Sequence, residues 1–335
     1  MEIMWKLPSC LSEIRKSLIQ TLKQVFNFAF VLLSAFTASV QAATSTVDGG
    51  SPPSDSAADL ARKTSNPLGG DFIMLINQFD NFFLKGDITD DYQNYNNWAF
   101  QPVIPISMKD VIGDGWIWVN RPTINIVLNS DVPDEKEISR RIAAGTLDSS
   151  DVPFESVSGF GDISYFALLG KATPTKKWGS GEVVLAGGAT FQFPTASRDE
   201  IGSGKYSAGP AATAAFIGKR FVLGSLVQQW WDYGSGGNGS GDDVNLTNIQ
   251  LFYFLNLGGG WQVGGSPIIT ADWENDSDEV WTVPIGLGVY KTSFFGKLPV
   301  KMGLEAQYMP IRPDELGQEY NIRVVITPII PNIFN

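Results

Sequence analysis

From Asn66 onward the chain consists of stretches of about ten to fourteen residues in which apolar side chains alternate with polar or small ones, separated by clusters of Gly, Asp and Asn. A period of two puts successive side chains on opposite faces of a strand. Segments of about ten such residues are the pattern of a β-barrel with lipid outside and a lumen inside. Strands are predicted at 71–84, 95–108, 115–129, 159–170, 181–194, 204–217, 219–233, 243–257, 260–274, 279–292, 297–310 and 319–331, with ends placed to about 2–4 residues. The fold class that follows is all-β: an antiparallel transmembrane β-barrel of outer-membrane type with about 12 strands, within a range of 10–14.

Several strands can be oriented. In "WVNRPTINIVLN" the outward set is Pro122, Ile124, Ile126 and Leu128, against Arg121, Thr123, Asn125 and Asn129. "EVVLAGGATFQF" sets Val183, Leu185, Ala189, Phe191 and Phe193 against Glu182, Ala186, Gly188, Thr190 and Gln192. In "VKMGLEAQY" Met302, Leu304, Ala306 and Tyr308 oppose Lys301, Gly303, Glu305 and Gln307. The final strand sets Tyr320, Ile322, Val324, Ile326 and Pro328 against Asn321, Arg323, Val325 and Thr327. A cation on the lipid face at the midplane costs about 2–4 kcal/mol, so Arg121 and Arg323 are expected inside.

Connector lengths offer a second test, because barrels of this kind have short periplasmic turns and longer outer loops. Counted back from an inward-running last strand, the outer loops are the acidic segment 130–158, "PTASRDEIGSG", "GSGGNGSGDD", "ENDSDE" and "IRPDELGQE"; the inner turns include 218–219, 257–260 and 294–297. An even strand number with both barrel ends inside follows. Trp98, Trp116, Trp118, Trp230, Trp231, Trp261, Trp273 and Trp281 lie where strands meet connectors, the level of an interfacial aromatic girdle. A soluble β-sandwich also alternates, but it has no need of such connector alternation.

The segment before the barrel reads differently. Lys6, Arg15, Lys16 and Lys23 precede "VFNFAFVLLSAFTASV", which ends on Val40-Gln41-Ala42; residues 1–42 are predicted to be a signal peptide cleaved after Ala42. An uncleaved anchor would need a run of about 20 apolar residues. Residues 43–65 lack aromatics and periodicity and are expected to form a flexible leader, with the barrel spanning 66–335.

Composition narrows the chemistry. Beyond Ala42 the chain keeps 20 of its 24 basic and 33 of its 35 acidic side chains, a net charge of −13, which argues against a nucleic-acid partner. It has no histidine, and its one cysteine, Cys10, falls in the signal segment. Imidazole- and thiol-based catalysis are therefore excluded, and no enzyme activity, catalytic residue or cofactor is expected.

Three motifs invite chemistry. "GSGK" at 202–205 lacks the first Gly and the Ser or Thr of a phosphate loop, with Asp199 and Tyr206 in those places. "DWENDSDE" spaces Asp272, Glu274, Asp276 and Asp278 two apart, a weak oxygen-ligand candidate for a hard cation, although it lacks the Gly of a calcium loop and reads more simply as a solvated outer loop. "EKEISRRIAAG" in the loop 130–158 predicts a short helix stopped by Gly145, either exposed or folded over the pore.

The ordered set Asn66-Pro67-Leu68, "QPVIPIS" from Gln101, "GFGDIS" from Gly159, "FPTAS" from Phe193, "GSGKYSAGP" from Gly202, "DWENDSDEVWTVPIGLGVYK" from Asp272 and "FGKLPV" from Phe295 resembles the bacterial "MetA-pathway of phenol degradation" family, whose members are often mislabelled neuromedin U. The resemblance spans nearly the whole barrel. It implies an outer-membrane barrel of transport function linked to the breakdown of aromatic compounds.

The lumen set expected from parity is Arg121, Asn125, Asp162, Glu182, Gln192, Arg220, Lys301, Glu305 and Arg323. Eight strands leave an interior filled by side chains and about 16 leave an open channel, so with twelve the lining decides what passes. The expected function is a narrow channel for small solutes, aromatic or apolar compounds among them, with Arg121, Arg220, Lys301 and Arg323 attracting an anionic group. The alternative is a structural or adhesive barrel with a sealed lumen. Expected partners are outer-membrane lipid and lipopolysaccharide, the barrel assembly machinery that reads a last strand ending near Phe334, and a small-molecule solute.

Overall fold

The computed structural model describes residues 54–65, 68–69, 72–150, 152–171, 176–178, 181–277 and 279–334. The predicted signal segment, the first part of the leader, Asp278 and Asn335 lie outside these residues. Fifteen strands form one sheet: β1 (Phe72–Gly86), β2 (Thr89–Ser107), β3 (Trp116–Pro133), β4 (Phe154–Phe160), β5 (Ile163–Lys171), β6 (Lys176–Trp178), β7 (Gly181–Phe193), β8 (Ser203–Ile217), β9 (Phe221–Gly239), β10 (Asn245–Gly258), β11 (Trp261–Gly265), β12 (Ile268–Asp272), β13 (Trp281–Phe295), β14 (Leu298–Ile311) and β15 (Gly317–Pro331). All pairings are antiparallel, and β15 pairs β1 from Phe72↔Pro331 to Lys85↔Gly317, which closes the cylinder. β4 and β5 follow one another along β3, β11 and β12 follow one another along β10, and the short β6 pairs with β7. The closed barrel therefore has 12 staves, the number the alternation predicts.

The two faces separate as the period of two requires. Leu223, Ile285, Leu287, Val289 and Leu304 point outward, with Ile285 and Leu287 65% and 62% exposed. A soluble sandwich would bury such a band, whereas a barrel in lipid needs it. Inward parity carries Val119, Phe166, Leu168, Val184, Val222 and Leu226, packed as one buried cluster. Of the described tryptophans, Trp118, Trp231, Trp261, Trp273 and Trp281 are exposed; Trp273 and Trp281 meet edge to face at 5.5 Å. Trp230 departs from the expected girdle: adjacent residues on a strand cannot share a face, and it is buried inside the lumen.

Connector lengths follow the expected alternation except at the first hairpin and at the turn-end connector 108–115 between β2 and β3, which is longer than the loop-end connectors 240–244 and 312–316. In the first hairpin β1 and β2 are joined at the loop end by Asp87 and Ile88 alone, and the turn rests on the β14–β15 loop through Asp87 N to Asp314 O (2.9 Å) and Ile88 N to Glu315 O (3.4 Å). The opposite end carries the tight turns. Between β10 and β11, Gly258, Gly259 and Gly260 all have positive φ (90°, 54° and 83°), a path that β-carbons would strain.

Two helices accompany the barrel. α1 (Ser54–Lys63) corrects the reading of 43–65 as a leader without structure, at least for its second half. A ten-residue helix is marginal alone; here Ala57, Leu60 and Ala61 are buried, and Asp59 pairs with Arg62 (2.9 Å) and Lys63 (3.1 Å). α1 sits at the turn end, against Gly258, Gly260 and Trp261. The chain beyond it carries Leu68, fully buried among Val119, Leu168 and Val184 inside the barrel. α2 (Glu135–Ala144) forms where the sequence predicts it, capped by Asp134, whose carboxylate accepts from Glu137 N, and stopped by Gly145 at φ 66°. Arg140 and Arg141 hold the Glu137 carboxyl down at about 2. No residue of α2 is buried, so it is an exposed loop helix rather than a lid.

Burying a leucine contributes about 1.5–3 kcal/mol, and a carboxylate at the same place would be desolvated without a partner. Leu68→Asp is therefore expected to release the segment that carries α1 and Leu68 to protease digestion while leaving a folded, heat-modifiable barrel. Unchanged resistance of this segment would show that Leu68 does not anchor it.

Candidate functional site

The lumen holds two kinds of charged residue, those that complete the wall and those that face open space. The ladder is interrupted between β11 and β12. β13 pairs with β11 over Trp261–Gly264 and with β12 over Thr270–Ala271, but not between, where Ser266 and Pro267 interrupt the stave. Side chains from the strands beyond take over the missing bonds. Ser266 N donates to both Glu305 carboxylate oxygens (3.2 and 3.1 Å), and Arg323 Nη1 donates to Ser266 O (2.8 Å). Glu305 reaches across β13 because Gly286 and Gly288 lie in its path: a β-carbon on Gly286 would stand 2.8 Å from Glu305 Oε1.

Both charges are then fully engaged. Glu305 also accepts from Tyr290 OH (2.5 Å) and Gln307 Nε2 (2.6 Å). Arg323 Nε donates to Asp80 Oδ1 (2.6 Å), which also accepts from Asn321 Nδ2 (2.7 Å). Arg323 and Asp80 are 3% and 4% exposed at their side chains, so this is a desolvated, charge-assisted pair. Arg323 lies inside, as parity requires, but it is bound to the wall and is not available to a solute.

At the loop end a cavity of about 500 Å³ is lined by Tyr95, Asn125, Asp162, Gln192, Trp230 and Asn248, among others. Asp162 sits at the break between β4 and β5. It accepts from Ser203 N and Oγ (both 2.8 Å), Ala196 N (3.0 Å) and Gln192 Nε2 (3.3 Å). Asn125 donates to Asp162 O (3.0 Å) and accepts from Asn97 Nδ2 (3.1 Å). Asp162, Asn125 and Gln192 are thus brought together, and the carboxylate holds the β7–β8 loop over the lumen mouth. Glu182 shares the inward parity of Val184, near the turn end.

Arg220 is a correction. The expected strand 219–233 would place it inward, but β9 starts at Phe221, and Arg220 is an exposed residue of the β8–β9 turn. Asp272, Glu274 and Asp276, the described members of the candidate cation loop, form no cluster able to hold a metal among the described residues.

Mid-lumen lies a second cavity of about 180 Å³. Its walls are mostly apolar, with Met74, Ile76, Val103, Leu226 and Phe252 prominent, and its floor includes Thr64 and Ser65 from the segment after α1. Arg121 and Lys301 both line it, and the lining contains no Asp or Glu. The Arg121 guanidinium lies over Phe166 at 4.3 Å from the ring centre, and its buried Nε has no hydrogen-bond partner among the described residues. Lys301 Nζ lies 4.4 Å from the Phe254 ring centre and 5.4 Å from that of Tyr290, and donates to Ser65 Oγ (3.3 Å).

Sequence reasoning missed Asp80, Ser266 and Ser65. An acid on the inward parity of β1 was a visible signal, but its partner is set by the β1–β15 closure register, Asp80↔Arg323. Ser65 and Ser266 carry no local pattern at all.

No family model and no curated protein matches the chain. Among solved structures it is similar to the COG4313 outer membrane channel from Pseudomonas putida F1, at 12% identity and a TM-score of 0.54, covering 78% of this chain and 96% of that one. This likeness shows a shared outer-membrane barrel fold. The TodX deltaS2S3 mutant monoaromatic hydrocarbon channel (10% identity, TM-score 0.41, 81% and 94% covered) and Escherichia coli outer membrane phospholipase A (11% identity, TM-score 0.39, 83% and 97% covered) superpose too loosely to carry an argument.

Breaking a buried ion pair by removing one partner costs about 3–5 kcal/mol. Arg323→Met should lower the urea midpoint of the vesicle-inserted barrel accordingly. The double variant Asp80→Asn, Arg323→Met should recover part of the loss, and a neutral single variant would remove the pair from any role in holding the wall.

Proposed function

We propose that the protein is an outer-membrane channel for small solutes, with a lumen selective for compounds that carry an apolar body. The observation that carries this reading is the pair of cavities inside a closed barrel, a polar one at the loop end and a largely apolar one at mid-lumen. A barrel with an apolar outer band and no free sheet edge belongs in a bilayer, and the predicted signal segment supplies the export step. The sequence likeness to the phenol-degradation transporters fits this assignment and supplies aromatic compounds as the solute class to test first. Transport rather than catalysis is favoured because the chain lacks histidine, while the inward carboxylates Asp80, Asp162 and Glu305 are all tied to wall or loop.

A second reading, a sealed barrel whose loops do the work, is favoured by one feature: α1 and Leu68 occupy the turn end. Liposome swelling separates the two. Vesicles containing the full barrel should swell faster in a benzoate-sized aromatic acid than in a small sugar, and removal of residues 43–69 should raise both rates several-fold. No swelling by either folded protein would leave the sealed barrel as the better account.

A further inference from the structure

We infer that the mid-lumen cavity is a specific binding site for a monocarboxylate with an apolar body, held by Lys301 and Arg121. This deepens the channel reading by naming the chemistry of the solute. Arg121, Lys301 and Arg323 point into the same lumen, the last two buried and Arg121 half-buried with its Nε out of solvent, and the fold treats them differently. Arg323 is given Asp80. Arg121 and Lys301 have no carboxylate within 4 Å among the described residues and share a cavity without an acid in its lining. Desolvating a cation without an anion is costly, and aromatic faces and one hydroxyl replace only part of what water gives. Lys301 is 8% exposed. An ammonium has three donors and a guanidinium five; Lys301 uses one, on Ser65, and the buried Nε of Arg121 has no partner among the described residues. A carboxylate supplies the missing charge and acceptors together.

The rest of the lining sets the body of the ligand. Apolar side chains dominate, and the ring faces of Phe166, Phe254 and Tyr290 are already turned to the two cations. A dry apolar cavity of about 150 Å³ takes benzene; one of about 180 Å³ has room for a single ring with its carboxylate. The other polar groups of the lining, Gln78, Gln101, Thr213, Gln250, Ser266 and Thr327, are neutral and offer no second charge for a dianion's other end to meet.

The site is tested by calorimetry on folded, detergent-solubilised protein refolded in the presence of each probe, which gives every probe access whether or not the lumen conducts. Benzoate should bind, with benzyl alcohol and acetate each weaker, the first for want of charge and the second for want of a body. Lys301→Met and Arg121→Met, which retain a heat-modifiable barrel, should each weaken benzoate by about tenfold to a hundredfold, the size of one charge-assisted hydrogen bond, and leave benzyl alcohol nearly unchanged. Benzoate binding no tighter than benzyl alcohol, or indifferent to both substitutions, overturns the inference. Benzoate binding by a barrel that produces no swelling sustains the site and overturns only the channel reading.

Discussion

The constraint on which the rest of this structure depends is that a chain crossing hydrocarbon must satisfy every backbone N–H and C=O within itself. Closure of β1 on β15 meets it around the circumference. Where the ladder stops at Ser266 and Pro267, side chains must supply what the neighbouring strand does not. Glu305 answers the Ser266 N–H and Arg323 its carbonyl. Because those two are opposite charges in a dry environment, each demands further partners, and Asp80, Tyr290, Gln307 and Asn321 follow as consequences. One gap in a ladder thereby dictates the identity of residues on four other staves, β13, β14, β15 and β1.

This requirement sorts the inward charges by purpose. A charge at a break in a strand is structural: Asp162 at the β4–β5 break gathers the backbone and hydroxyl of Ser203 just as Glu305 gathers Ser266. A charge on an unbroken stretch, where every backbone group is already paired, has no such duty. Lys301 on β14 stands on ladders that are continuous on both sides, and Arg121 on β3, paired with β5 where the β2 ladder is interrupted, has a buried Nε that bonds to none of the described residues. What they contribute is directed at the space they line.

The sequence reveals what is local. A period of two is written residue by residue, so strands such as Gly181–Phe193, Ser203–Ile217 and Leu298–Ile311 fall within a residue or so of their expected limits, with faces assigned correctly. Where the period is silent, reading fails. "GSGGNG" has almost no side chains to alternate, yet β9 runs through it to Gly239 because β8 pairs with it there. Arg220 lies one residue beyond a strand end, which is enough to move it from lumen to turn. The pairing of Asp80 with Arg323, 243 residues away, depends on closure register and has no local signature. α1 has weak periodicity, Ala57, Leu60 and Ala61, and its stability is lent by the barrel around it.

That borrowed helix bears on how the lumen works. Ser65, just past α1, is fastened three ways: its hydroxyl donates to Ala61 O (2.9 Å) and accepts from Gln262 Nε2 (3.2 Å) and Lys301 Nζ (3.3 Å). Only the last of these comes from the mid-lumen cavity. A carboxylate is a stronger acceptor for an ammonium than a hydroxyl already receiving another bond, so an anion at Lys301 competes directly with the segment that floors the cavity. The differential affinity of the anion for the two states bounds how far it can shift them, and that difference is at most the bond between Lys301 and Ser65. Leu68, packed a few residues further on, adds an apolar anchor that such an exchange leaves untouched. Binding at Lys301 can therefore loosen the turn-end segment at Ser65 but cannot by itself expel it.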